Sequence, residues 1–532
     1  MAIIQQHLLH PIGESFVLTF ANTVNGKEMH SGEFDVDDNG NIYVCISDNE
    51  EANALKISSD GNIIWRKRIT DEDDSSRTYA IAVDKSSGDV YLVGKTYANL
   101  QFFSIGYQLM IGKYNSSGVR QWLKIFGDGY QYVGQWGANY VEQTALAGKR
   151  IHADSNGLFL RAYIEHTCGA GFSDINLTSF LNVNSSGTLS IQREISDFST
   201  NSNNMNNCPS PWYNYSDRAL RYSDVVKSRV SNHYYCAGSY RGVSAYQQTG
   251  DVWGCIAKLD SNGDLVWNKK FRYNNSGRPP STDGSSDNFS DLSLDSNDNI
   301  YSIISARQPG ASTPRANPLI VKINSSGTLQ WIRKLESNTY YYSGAANTSI
   351  FVDPDNDNNI FIMSRVTIGG TYNWGTDQGV NVLSKYNSSG TLQWQRVIAG
   401  FYINYQSMKV HGGFVYMMGY KYPGTNGVSD YILLKIPKSG NLAGLITHDS
   451  NTFSVRNGGN NANYDIYIDG GTSTGMSSTV NPSYAYYNNF TNRYTYTGTI
   501  NYANAANNSD GSAFGHSNSN VSCTKTSLGY YT

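Results

Sequence analysis

One short pattern recurs along this chain, and it limits the fold more than any other feature. An apolar-Lys-apolar run leads into a polar turn that ends in Gly, and four residues after the Gly stands a Trp or its substitute. The turn glycines are Gly61, Gly118, Gly187, Gly263, Gly327, Gly390 and Gly440. The residues four positions on are Trp65, Trp122, Ile191, Trp267, Trp331, Trp394 and, with the Trp lost, Gly444. Steps between successive glycines are 57, 69, 76, 64, 63 and 50 residues. Self-similarity at such a period marks an array of supersecondary units.

A second motif alternates with the first. An apolar-x-apolar-Asp run meets an Asn/Gly turn and then an apolar-Tyr-apolar run. Phe34–Val44, Ile81–Gly94, Leu292–Tyr301 and Phe351–Phe361 are its clear copies, with weaker ones near 151–160, 225–238 and 408–419. Each motif is two short β-type runs joined by a tight turn, which is a hairpin. Two hairpins per repeat make a four-stranded antiparallel sheet. One such sheet cannot bury both faces, but seven stacked about an axis can. The fold class expected is therefore all-β, a seven-bladed β-propeller over 33–446.

The ring should close through the N-terminus. The seventh repeat has no Trp strand, whereas Ser15–Phe20 is an unassigned apolar run just upstream of the first repeat. Residues 1–32 are read as a leader plus a closing strand that pairs with Tyr431–Ile436, removing two exposed edges. Long stretches such as 123–150, 194–224 and 268–291 fall between repeats and are expected as rim loops. Residues 447–532, rich in Tyr, Asn, Ser and Gly with three Lys/Arg, are expected as a small β tail domain on the propeller or on a neighbouring subunit.

Composition narrows the function classes. Only 16 % of residues are charged and the formal net charge is −3, so bulk electrostatics do not favour nucleic acid. No apolar run reaches membrane-spanning length. Met1–Pro11 has no basic n-region and its apolar run is broken by Gln5, Gln6 and His7, so synthesis in a cytoplasm is expected. The six cysteines lack CxxC spacing and are read as mostly free thiols, with Cys168–Cys208 or Cys236–Cys255 as conceivable disulfides.

The repeated Trp residues are read as repeat-periodic core and the glycines as turns; no catalytic, cofactor-binding or metal-ligating residue is nominated. Asp35–Gly40 and Asp353–Asp357 open like calcium loops, but Ile46 and Ser364 stand where the acidic twelfth residue belongs, and hairpin turns need the same residues. No His-Glu-x-x-His or Gly-x-Ser-x-Gly occurs. The expectation is that the chain is not an enzyme and carries no cofactor.

The paired motif, as in Gly40-Asn-Ile-Tyr43 and Lys322-Ile-Asn-Ser-Ser-Gly-Thr-Leu-Gln-Trp331, resembles the seven-bladed propeller repeats called SBBP or quinoprotein-like. That resemblance implies the fold. Quinoprotein dehydrogenases of similar architecture carry an adjacent cysteine pair, which is absent from this sequence. The whole chain also resembles virion propeller proteins of tailed phages of marine bacteria, through Leu433-Leu-Lys-Ile-Pro-Lys-Ser-Gly440 and the polar β tail. This resemblance implies a structural protein of the tail or its fibres, with other virion proteins as partners, a host-surface glycan or protein as target, and a homo-oligomer within the assembly. A cell-surface or secreted propeller lectin or adhesin is the alternative, and a quinoprotein-like enzyme a third reading.

Overall fold

In a computed structural model of the chain, the described residues are 15–22, 29–48, 52–70, 77–96, 108–127, 139–144, 151–168, 175–195, 220–241, 252–273, 288–307, 316–335, 341–342, 348–367, 379–399, 402–421, 430–440, 444–448, 451–457, 478–480, 484–488, 501–504, 515–517 and 521–527. Among them there is no helix, and the strands form seven antiparallel sheets. Blade 1 is built from Met29–Val36, Ile42–Asp48, Ala52–Ile57 and Ile63–Thr70, inside to outside. Blades 2, 4 and 5 repeat that meander from Arg77–Val83, Leu220–Lys227 and Asn288–Leu294 outward. In blades 3 and 6 the innermost position is shared by two short strands, Asn139–Thr144 with His152–Asp154 and Tyr341–Tyr342 with Thr348–Val352.

The first strand of each blade packs on the blade before it, and Met29–Val36 of blade 1 meets Tyr402–His411 of blade 7. Side chains between blades form the core. Alternate residues of each sheet face opposite neighbours, so every blade buries two apolar faces. Tyr43, Cys45, Trp65, Ile81, Leu92, Met110 and Leu123, for example, make one continuous cluster between blades 1 and 2.

Blade 7 closes the ring as expected. Its third strand, Asp430–Pro437, pairs with Phe16–Asn22 in the register Phe16↔Lys435 to Phe20↔Tyr431. Phe16, Leu18 and Phe20 are completely buried.

The tail joins these same sheets instead of forming a sheet of its own among the described residues. Gly444–His448 and Asn451–Asn457 form a hairpin on the outside of blade 6. Ser478–Val480 then pairs with blade 5, Tyr484–Asn488 with blade 4, Asn501–Asn504 with blade 2 and Gly515–Ser517 with blade 1. Val521–Ser527 ends on blade 7, against the closing strand. The tail thus circles the ring in the reverse of blade order, and its main chain supplies partners to outer edges that would otherwise be open. The expected boundary at 447 separates two stretches of chain that share sheets. The alternating runs Tyr464–Ile468 and Tyr494–Thr497 lie outside the described residues.

Candidate functional site

Antiparallel order fixes which end of the ring each connection leaves. The Asp-motif turns and the Gly-motif turns both join strands at one end, and the remaining connections, 128–138, 196–219 and 274–287 among them, leave from the other. The segments expected as rim loops fall largely in those connections, outside the described residues. The described chemistry therefore belongs to the turn end, the blade interfaces and the wall around the axis.

At the turn end the Trp residues act between blades. The indole Nε1 of Trp65 donates to Ser116 O at 3.1 Å, Trp122 to Ser185 O at 3.0 Å, Trp267 to Ser325 O at 3.3 Å and Trp331 to Ser388 O at 3.3 Å. Each acceptor lies in the Gly turn of the following blade. The ring also covers the turn glycine: a Cβ on Gly118 would sit 2.9 Å from Trp65, and one on Gly390 3.2 Å from Trp331. These glycines need their missing side chain twice over, since φ is +74° at Gly118 and +79° at Gly390. Gly61, Gly187, Gly263, Gly327 and Gly440 share the positive φ.

Of the repeat-periodic residues, Trp65 is buried at 8 % exposure, while Trp122, Trp267, Trp331 and Trp394 are half-buried. They are clamps at the rim of the interface more than filling of its centre. Each Trp stands opposite the motif Lys across its hairpin, Lys56↔Trp65 to Lys385↔Trp394, and the Lys ammonium lies over the aromatic ring of the next strand inward. Ile191 falls in the same register opposite Asn182, so the third repeat has lost both the Trp and the Lys, whereas the seventh, which also lacks the Trp, keeps Lys435.

The wall around the axis carries buried polar groups that the sequence reading did not single out. Asp224 and Asp291 are 0 % exposed and Glu33 2 %. The Asp291 carboxylate accepts from Ser349 Oγ at 2.7 Å and Ile350 N at 2.8 Å, both in blade 6. Asp224 accepts from Leu292 N of blade 5 at 3.0 Å, and Glu33 from Ser407 Oγ of blade 7 at 3.2 Å. Asp35 accepts from Val83 N of blade 2 at 3.1 Å and faces Lys409 of blade 7 at 3.6 Å. A buried carboxylate is tolerated when its oxygens are filled with donors. A signal existed: Glu33, Asp224, Asp291, Ser349 and Ser407 all stand four residues before the Asp that ends the apolar-x-apolar-Asp run or its substitute (Asp37, Ser228, Asp295, Asp353, His411).

Ion pairs tie neighbouring turns at the same end. Lys85 meets Asp38 at 3.3 Å, Lys227 pairs with Asp154, and Lys438 holds Asp353 at 2.6 Å and Asp355 at 2.7 Å. Arg229 of blade 4 reaches past blade 5 to Asp357 at 3.3 Å and to Val352 O at 3.2 Å in blade 6. His152 and Lys227 hold the Asp154 carboxyl well below the usual carboxylate range against the opposing effect of burial.

The calcium-like clusters are engaged as turns. Asp37 accepts from Asn39 N, Asn41 N, Asn41 Nδ2 and Tyr43 Oη, and Asp353 accepts from Asp355 N, Asn359 Nδ2 and Lys438 Nζ. Cys45, Cys236 and Cys255 are buried and in no disulfide, and burial pushes the Cys45 and Cys236 thiols up, away from nucleophilic thiolate. Cys236 and Cys255 therefore do not form the disulfide considered from spacing; Cys208 lies outside the described residues.

No protein-family profile and no curated protein matches the sequence. Among solved structures the chain is similar to NanB sialidase from Streptococcus pneumoniae, with TM-score 0.38 and 10 % identity over 78 % of this chain and 69 % of that one. It is also similar to Drosophila Plexin A, solved in complex with Semaphorin 1b, with TM-score 0.35 and 10 % identity over 80 % of this chain and 88 % of that one. Likeness at this level carries no activity, ligand or partner to this chain; its own strand pairings define the ring. It does overturn the expectation that the chain is not an enzyme. Sialidases stand among the similar structures, so the propeller architecture gives no ground for excluding catalysis.

Proposed function

We propose that the chain is a structural component of the virion of a tailed phage, in the tail or its fibres, made in the host cytoplasm. Its loop-bearing end would engage a host-surface glycan or protein. The observation that carries this reading is the division of the ring into two ends. One end is short turns cross-tied between blades, and the strand ends at the other are joined by longer stretches of sequence such as 196–219, rich in Asn and Ser. A rigid ring whose longer connecting sequences are polar and bear tyrosine is suited to recognition, because such side chains offer contact area at low entropic cost. The resemblance of the repeat and polar tail to phage propeller proteins supplies the setting, and the SBBP-type repeat the closest description of the blades.

The test is mass spectrometry of purified particles combined with antibody labelling in electron micrographs. The chain should be recovered in fixed stoichiometry with other virion proteins, and label should decorate the tail. Recovery from a cell envelope and absence from particles would sink the reading in favour of an adhesin.

A further inference from the structure

The turn between the first and second strands can be superimposed from blade to blade by its backbone bonds. Asp37 N donates to Asn41 O, Asp84 N to Asp89 O, Asp295 N to Asn299 O and Asp353 N to Asn359 O. In blade 4 the same bond runs from Ser228 N to His233 O at 2.8 Å, so Ser228 occupies the Asp position. In blades 1 and 5 the Asp does two things. Its Oδ1 accepts the N–H two residues on, as from Asn39 to Asp37 at 3.0 Å. Its Oδ2 accepts the phenol of the second strand, Tyr43 to Asp37 at 3.0 Å and Tyr301 to Asp295 at 3.4 Å.

Ser228 can do only the first. Its Oγ accepts from Val230 N at 3.1 Å and Ser231 N at 2.9 Å. Tyr235, which pairs with Lys258 as Tyr43 pairs with Lys56, is left without a carboxylate in its own blade. The carboxylate it finds is Asp298 of blade 5, at 3.3 Å.

Asp298 is itself out of pattern. Its N–H donates to Asp295 O at 3.0 Å, as Gly40 donates to Asp37 O and Gly88 to Asp84 O, so it fills a glycine position. It is the one non-glycine with positive φ among the described residues, at +58°, where Gly40 and Gly88 have +76° and +74°. A side chain there carries backbone strain that a glycine would not. Yet Asp298 is only 3 % exposed, and its carboxylate receives Ser228 Oγ at 2.6 Å, Arg229 N at 3.2 Å and the Tyr235 phenol.

We propose that Asp298 is a positioning residue that supplies in trans the turn carboxylate which blade 4 lacks. In doing so it fixes the backbone from which Arg229 crosses to blade 6. The strained glycine position in blade 5 and the missing Asp in blade 4 are then two halves of one device. It makes the turn of blade 4 depend on its neighbour and joins blades 4, 5 and 6 into a single unit, beyond any role in recognition.

The device is tested by thermal melts of four variants. Asp298→Gly removes the strain, yet it should lower Tm by about 2–4 °C. Asp298→Asn keeps an acceptor in a residue tolerant of positive φ and should retain most of the stability. Ser228→Asp alone should lower Tm, because it sets two carboxylates face to face. The pair Ser228→Asp with Asp298→Gly restores the arrangement of blade 1 and should return close to the parent. Asp298→Gly at or above the parent Tm would overturn the proposal, as would a double variant whose loss equals the sum of the singles. If Asp298→Gly fails to fold, recovery of soluble, folded double variant supports the proposal and its failure overturns it.

Discussion

The interface between blades 5 and 6 and the seam between blades 7 and 1 do the same work with different chemistry. At the first, Trp331 lies over Gly390 and donates to Ser388 O, while Asp291 takes the hydroxyl of Ser349. At the seam there is no Trp. Phe16 takes its register position opposite Lys435, and the Lys435 ammonium, only 1 % exposed as a residue, donates to Ser59 O of blade 1 at 2.8 Å. The same ammonium sits 5.0 Å above Phe16, 4.3 Å above Phe414 and 5.8 Å above Tyr416. At the interfaces that keep the Trp its ring covers the turn, and Lys56 and Lys113 also donate to that turn from partly exposed positions; at the seam an enclosed cation among three aromatics holds the corresponding turn without a Trp. Phe16 and Lys435 are far apart in sequence, so pairing them closes a longer loop than any contact between consecutive blades, at an entropic cost that grows slowly with length. Interfaces between consecutive blades close shorter loops and rely on packing.

The seam should accordingly be the most sensitive place in the ring. Phe20→Ala, which empties a fully buried position on the closing strand, is expected to cost about 3–5 kcal/mol in chemical denaturation. A loss no greater than that of a half-buried Trp would remove the distinction. Trp331→Ala at the regular interface should cost less, about 2–3 kcal/mol, because its indole is half-buried and one hydrogen bond goes with it. An unchanged melting curve would mean that the clamp contributes nothing.

Lys435→Met separates cation from stem. Burying the stem is kept while the charge over three rings is lost, and about 1–2 kcal/mol should go with it. Lys322→Met, whose ammonium lies 5.0 Å from the centre of the Tyr301 ring, should cost about half a kcal/mol. Equal losses at the two sites would show that the seam is not special.

The smallest expected effect depends on pH. Asp154, between blades 3 and 4, has its carboxyl pKa depressed in the folded state by His152 and Lys227. A depressed carboxylate contributes stability that is fully present above its unfolded pKa, about 3.9, and lost as pH falls through the folded value. Asp154→Asn should therefore lower Tm at pH 7, and the difference from the parent should shrink as pH falls below about 4. A difference that persists unchanged into acid would point to packing in place of charge.

Much of the ring was legible in the sequence because each blade repeats its signal. The Gly-to-Trp offset counted the blades, and the missing Trp after Gly440 together with the spare run Ser15–Phe20 located the seam. The tail was not legible as a belt. Its added strands, such as Ser478–Val480 and Gly515–Ser517, are three residues long and pair with six different sheets, so no period links them. The wall carboxylates were hidden for another reason. Asp224 and Asp291 sit inside runs that read as ordinary strand, and their donors, Leu292 N and Ile350 N, belong to the next blade. Asp298 looked like one more polar turn residue, and only its backbone conformation shows that it stands where glycine belongs.

A density map of the intact chain at side-chain resolution tests the central claim most directly. The account requires seven blades, with Phe16–Asn22 hydrogen-bonded between Asp430–Pro437 and Val521–Ser527 and Phe16 facing Lys435. Six or eight blades, or a closing strand lying outside the ring, would contradict it.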